Sequence, residues 1–355
     1  MGGVVFLCGN DELDKERRGY ARAFARVAPL HFIAPGDDWR AQLPDDPIVI
    51  INPDGRPWLP EGIEKIEAPT AVFHIDTYVA TARRMRWSQM YDYAFVFHPG
   101  YDETFRAAGI PGARLLPHAA ERDLFDRPES DRRLDAGWVG ATGRSIYGAR
   151  GRILAGLQAR FRMNDVARRY TTEEMADIYC ASKIVVNVSR DDYLQDANMR
   201  CFEAMASGAL LITQSPSELT ALGFEEGLHF IGYRESDEVP DIVAHWLARD
   251  GDREAIARRA RKLVLAEHTY DARVGTILAS VREGATAPAR TWPADRVQAL
   301  RFDYFVEYAD LPKSLGAYRK LATISMLRAA QRSPGLVRLA LKVVRRALRK
   351  MGSRS

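Results

Sequence analysis

The chain has 355 residues, 46% of them hydrophobic and 28% charged. That balance excludes a disordered, collagen-like or all-membrane polypeptide, and the length exceeds one ordinary core, so two domains are expected. The formal net charge of +4 is unevenly spread: from Leu311 onward there are 12 Lys and Arg and no acid, leaving 39 basic against 47 acidic groups before it. A mildly acidic body with a strongly basic tail suits an anionic surface at one end of the molecule, not a coat of nucleic acid.

The opening MGGVVFLCGNDELDKE has no basic region ahead of its short apolar run, and so reads as a first strand and not a secretion signal. No apolar run approaches the ~18–20 residues of a spanning helix. Cys8, Cys180 and Cys201 are scattered and odd in number, which fits a reducing cytosol and neither a disulfide framework nor a cysteine zinc site.

Short apolar runs at Val4–Cys8, His31–Ala34, Ile48–Asn52, Ala71–Ile75, Ala94–His98 and Arg114–Pro117 are expected as buried parallel strands. Amphipathic stretches lie between them. Glu12–Val27 follows the first strand with Asp11 as its cap, Tyr78–Met90 follows the fourth, and Asp102–Ala108 follows the fifth. The polar run Ala119–Arg133 has no period and reads as a connector between domains.

A second series then begins. Strands are expected at Trp138–Ala141, Arg160–Met163, Ile184–Ser189, Ala209–Thr213 and His229–Gly232. Helices are expected at Tyr147–Gln158, Glu173–Cys180, Met199–Ala206, Val239–Ala248 and Glu254–Glu267. Beyond the loop-like Gly284–Pro293 the pattern is helical. In Pro334–Lys350 one broad apolar face lies opposite a row of Arg and Lys, an amphipathic basic helix suited to an anionic membrane. Docking on the protein's own acidic body, or disorder, is the alternative. The plan is therefore α/β, with an N-terminal domain over 1–130, a second over 131–285, and a helical return segment and tail over 286–355.

The most informative run is DANMRCFEAMASGALLIT, Asp196–Thr213: a loop, a helix, a glycine stop and a buried strand. Asn198 and Arg200 fall at the helix entrance and Glu203 one turn further in. A helix N-terminus with an adjacent arginine suits a diphosphate, and a neighbouring carboxylate suits a pair of ribose hydroxyls. No G-x-G-x-x-G, P-loop lysine, G-x-S-x-G or H-E-x-x-H pattern occurs, which disfavours other nucleotide, hydrolase and zinc-protease chemistry. His98, His118, His229 and His268 lack partners at ligand spacing and read as structural.

The run CFEAMASGALLIT resembles the signature of GT-B glycosyltransferases of the GT4-like group. The closer likeness is to the group named after spore maturation protein CgeB. Supporting pieces run in order: FHIDTY, YDYAFVFHPGYDETFRAAG, LLPHAAERDLF, GWVGATGRSIYGARGRIL, SELTALGFEEGLHFIGY and HTYDAR. The resemblance implies two Rossmann-like doubly wound domains facing a cleft, with acceptor in the first and nucleoside-diphosphate sugar in the second. It implies sugar transfer to a hydroxyl of a surface, lipid-linked or protein-linked glycan with retention. No cofactor or metal is implied, a UDP-sugar donor is favoured, and the protein is cytoplasmic or peripheral on the inner membrane face.

Carried over residue by residue, the resemblance gives His74 and Asp76 to the sugar-facing edge of the first domain, with Arg200 as the third catalytic group. Gly140, Thr142, Gly143, Arg144 and Arg150 would meet the diphosphate. Tyr170 and Thr171 would read the base, while Ser189, Gln195, Asn198 and Glu203 complete the donor site. The wider pattern has a glutamate eight positions before Glu203, where this chain has Gln195. A catalytically inactive scaffold, or a nucleotide-sugar epimerase on the same fold, is the competing reading.

Overall fold

The computed structural model describes residues 2–36, 38–53, 58–127, 131–142, 148–284, 296–297 and 299–301. The expected basic tail at 334–350 lies outside these residues, as do Gly143 and Arg144. Two compact units form. Among the described residues, one comprises 2–17, 24–115 and those from 278 onward, and the other 18–23 and 116–277.

In the first unit six parallel strands pair: β1 (Val4–Phe6), β2 (Leu30–Phe32), β3 (Val49–Asn52), β4 (Thr70–His74), β5 (Tyr93–Val96) and β6 (Ala113–Leu115), in the order β2-β1-β3-β4-β5-β6. The four central strands are buried throughout, as their unbroken apolar runs require. β2 is different: as an edge strand it leaves Leu30 and Phe32 half-buried and His31 exposed. Every second residue (Val5, Ile50, Val72, Ala94) faces a cluster with Trp39, Trp58, Trp87 and Met90. Alternate residues bring Phe6 onto Phe24, and Phe73 onto Phe95 and Phe97.

The first two helices are shorter than their patterns suggest, and the third keeps its expected length. α1 is Lys15–Ala25, because Asn10–Glu12 form a 3-10 turn and Asp14 Oδ1, not Asp11, accepts the Arg17 N–H at 3.0 Å. α2 is Thr81–Ser88, preceded by turns in which Ala80 takes φ 52°. α3 is Tyr101–Ala107.

The second unit opens with α4 (Arg122–Phe125), inside the run expected as a connector. That run is no polar linker throughout, since Ala119, Ala120 and Phe125 are fully buried. The four parallel strands are β7 (Leu134–Gly137), β8 (Ser182–Val186), β9 (Leu210–Gln214) and β10 (Ile231–Tyr233), ordered β10-β9-β8-β7. β7 ends where a strand was expected to begin, because its register sets Ala136 on Ile184 and Gly137 on Val185. Trp138 is therefore a loop residue, though fully buried. The strand expected at Arg160–Met163 reduces to one bridge, Met163 to Ala136, since the preceding helix runs through Arg160.

Helices of this unit are α5 (Gly148–Arg160), α6 (Thr172–Cys180), α7 (Met199–Ala206), α8 (Val239–Leu247), α9 (Asp250–Glu267) and α10 (Tyr270–Glu283). The last was not expected as a helix, and its final residues cluster with the first unit. Val185 and Leu211 pack with residues of α6, α7 and α9, while Ile184, Val186, Leu210 and Ile212 pack with α5 and α8. The two-residue period thus builds one core on each side of the sheet. Among the described residues no helix is long and apolar enough to cross a membrane. All three cysteines are buried, and no disulfide joins any two of them.

Candidate functional site

Three segments of the second unit meet beyond the carboxyl ends of their strands: Trp138–Gly140 after β7, Asn187–Ser189 after β8, and the N-terminus of α7. Parallel α/β sheets place ligands at this edge. Asn198 caps α7, its Oδ1 accepting the Arg200 N–H at 3.2 Å. At the other end Gly208 takes φ 76°, a conformation that stops the helix and favours glycine. Arg132 Nη2 donates to Ser207 O at 3.0 Å beside it.

The Arg200 guanidinium is held on three sides. Nε and Nη2 donate to Val139 O at 3.2 and 3.0 Å, and Nη1 donates to Asn187 Oδ1 at 2.6 Å. Its flat face lies 5.3 Å from the Trp138 ring centroid. All these acceptors are uncharged, and among the described residues no carboxylate pairs with Arg200. Gly140 permits the arrangement, because a Cβ there would fall 2.6 Å from Arg200 Nη2 and 2.9 Å from Trp138 Cζ2.

Arg150 lies on the same indole, 5.6 Å from its centroid. It is buried, donating from Nε and Nη2 to Val188 O at 3.1 and 2.7 Å, and from Nη1 to Ala141 O at 2.6 Å. It therefore ties the loop after β7 to the end of β8. Thr142 is exposed on that loop.

Glu203 is 3% exposed on α7. Its charge is felt at Tyr179, whose phenol is pushed up mainly by burial, pulled down by Arg200 and raised again by Glu203. Ser189 is buried, its hydroxyl 3.4 Å from Asp196 O. Gln195 is exposed, and its carbonyl accepts the Glu218 N–H at 2.9 Å. Thr171 caps α6 in a reciprocal pair: its hydroxyl accepts from Glu174 N at 3.2 Å, and Glu174 accepts from Thr171 N at 2.8 Å. Tyr170 donates its hydroxyl to Asp165 O at 2.8 Å, with Arg168 over its ring at 4.9 Å.

Two residues of this region were not singled out by the sequence. Asn187, fully buried, accepts from Arg200 and from Asn198 Nδ2 (3.1 Å), and donates to Thr213 Oγ1 (3.0 Å). Glu218 accepts the Tyr193 hydroxyl at 2.5 Å and the Ala197 N–H at 3.1 Å, pinning the loop that leads into α7. An asparagine inside the apolar run VVNV was a legible signal, since Asn is depleted in strands. Glu218 gave none.

In the first unit His74 ends β4 and is fully buried. The Ser88 hydroxyl donates to Arg84 O at 2.8 Å, so it accepts from His74 Nε2–H at 2.7 Å, and Nδ1 accepts from Arg84 Nη1 at 3.3 Å. The ring is a neutral strut between β4 and α2. Its carbonyl accepts from Thr77 Oγ1 at 2.6 Å, and Asp76 is exposed in that turn.

Among the histidines read as structural, His268 is buried against the rings of Phe202 and Phe224. Burial and then Arg273 lower its pKa to about 3.

Residues 136–279 match the glycosyl transferase-like family. That span contains every second-unit residue described above from Trp138 to Glu218. Solved structures with a similar fold include a sucrose-phosphate synthase from Thermosynechococcus elongatus (TM-score 0.58, 13% identity, covering 80% of this chain and 99% of that one). A glycosyltransferase from Rickettsia africae is similar at TM-score 0.56 and 8% identity, over 81% of this chain and 99% of that one. Anabaena HepE, solved with UDP, is similar at TM-score 0.54 and 10% identity, over 79% and 100%. No curated protein matches the sequence. The fold is that of the GT-B glycosyltransferases, with two Rossmann-like parallel sheets.

Proposed function

We propose that the protein transfers a sugar from a nucleoside-diphosphate donor to a hydroxyl of a glycan, lipid-linked or protein-linked acceptor. The observation that carries this reading is the entrance of α7. There a capped helix N-terminus and an arginine held by neutral acceptors stand near a buried glutamate, within the segment that matches a glycosyl transferase-like family.

Breaking the bond between sugar and phosphate leaves a nucleoside diphosphate with added negative charge. Arg200 and the start of α7 supply fixed positive charge for it, so the reading invokes no metal. Glu203 is assigned to the ribose hydroxyls, and Tyr170 and Thr171 to the base. The donor is assigned as a UDP-sugar, in keeping with HepE, which has been solved with UDP-glucose. The acceptor belongs to the first unit, where exposed Asp76 is assigned to sugar hydroxyls and His74 holds its turn. The CgeB-like grouping, retention at the anomeric carbon, and membrane contact through residues 334–350 belong to the same proposal.

Calorimetric titration with UDP, GDP, TDP and ADP tests it. One of these is expected to bind, and Arg200→Ala and Glu203→Ala are expected to weaken that binding with a nearly unchanged Tm. No binding by any of the four overturns the assignment. Gln195, where the GT4 pattern has an acid, favours a non-catalytic scaffold as the second reading. That reading allows binding but no sugar release from any donor.

A further inference from the structure

We infer that Asn187 is a positioning residue that aims Arg200 without neutralising it, for the benefit of an anionic ligand. The inference rests on the proposed donor site but concerns a residue outside the pattern that suggested it. Asn187 directly follows β8 and is fully buried, so its amide cannot turn to water for partners. Its orientation is fixed from the far side. Nδ2 donates to Thr213 Oγ1 at 3.0 Å, which obliges Oδ1 to face Arg200 Nη1 at 2.6 Å and Asn198 Nδ2 at 3.1 Å. One oxygen thus sets both the arginine and the cap of α7.

The chemistry of that oxygen matters as much as its place. A carboxylate of the same shape would orient the guanidinium equally well, and more strongly. It would also cancel the charge that a diphosphate needs, because a unit charge at contact distance in a half-buried site is poorly screened. An amide gives direction without neutralisation. Val139 O, the guanidinium's other acceptor, is likewise uncharged. The end of β8 therefore holds a cation in place without neutralising it.

The test compares Asn187→Asp with Asn187→Ala in the full chain, titrating UDP and uridine by calorimetry and saturation-transfer NMR. Asn187→Asp is expected to weaken UDP by about tenfold or more, the size of one charge-assisted hydrogen bond, with uridine binding within about twofold of wild type. Asn187→Ala adds no negative charge, though it releases both Arg200 and the Asn198 cap, so it is expected to bind UDP better than Asn187→Asp. Thr213→Val removes the hydroxyl that orients the amide while leaving Asn187 in place, and is expected to weaken UDP severalfold.

The inference is overturned by Asn187→Asp binding UDP as wild type does, by Asn187→Ala binding more weakly than Asn187→Asp, by equal losses for UDP and uridine, or by an unchanged Thr213→Val. Wild-type protein that binds no nucleoside diphosphate removes the donor-site reading and this inference together. Wild-type binding with unaffected variants removes only the role of Asn187.

Discussion

Arg200 Nη2 and the vacant side of Gly140 occupy the same space: a methyl group built on Gly140 would lie 2.6 Å from that nitrogen. The glycine is thus what allows the loop after β7 to close over the guanidinium. Gly140→Ala must push Arg200 aside, because Trp138, also only 2.9 Å from the new methyl group, is fully buried and cannot yield. The expected outcome is a loss of UDP affinity of about tenfold, the worth of one displaced charged contact, with a Tm within a few degrees of wild type. Calorimetry beside a thermal melt checks it.

Arg150 should behave in the opposite manner. Its buried head satisfies Val188 O and Ala141 O, and removing it strands both carbonyls. Arg150→Met is expected to cost about 2–4 kcal/mol of stability, seen as a lower urea midpoint.

Glu218 pins the approach to α7 through the Tyr193 hydroxyl and the Ala197 amide. Glu218→Ala releases both. Hydrogen exchange at Ala197 is expected to speed up, and the donor KM to rise severalfold. Tyr193→Phe removes one tether and should produce a smaller change in the same direction.

His268 gives the fold a pH dependence of definite sign. Its folded pKa, lowered to about 3 by burial and by Arg273, lies below the ordinary histidine value of 6.5. The neutral ring therefore contributes fully above pH about 6.5. That contribution is lost as pH falls toward 3, by about 1.4 kcal/mol per unit. Wild type should lose Tm between pH 7 and pH 5 more steeply than His268→Gln, in which no proton can bind.

The sequence made α7 legible to the residue, from Met199 to Ala206, because cap, apolar face and Gly208 all point the same way. β7 was displaced by four residues for a physical reason. The apolar run WVGA looks like a strand, yet register with β8 places the polar-containing LDAG in the sheet and leaves Trp138 to fill the space beyond it. The partners of His74 were invisible, since Ser88 and Arg84 come from a helix whose facing side no spacing rule reports. In the sequence, Arg150 and Arg200 were both candidates for the diphosphate. Only the fold separates a buried guanidinium that binds two loops together from a half-buried one at the entrance of α7.

The indole of Trp138, lying against both Arg150 and Arg200, also makes this edge of the sheet an internal optical reporter. A ligand that draws Arg200 off the ring alters the electrostatic environment of a buried chromophore, and its emission should shift with occupancy. The same event should be silent in Trp138→Phe. An encounter with an unlabelled, colourless substrate could then be followed in real time by light alone.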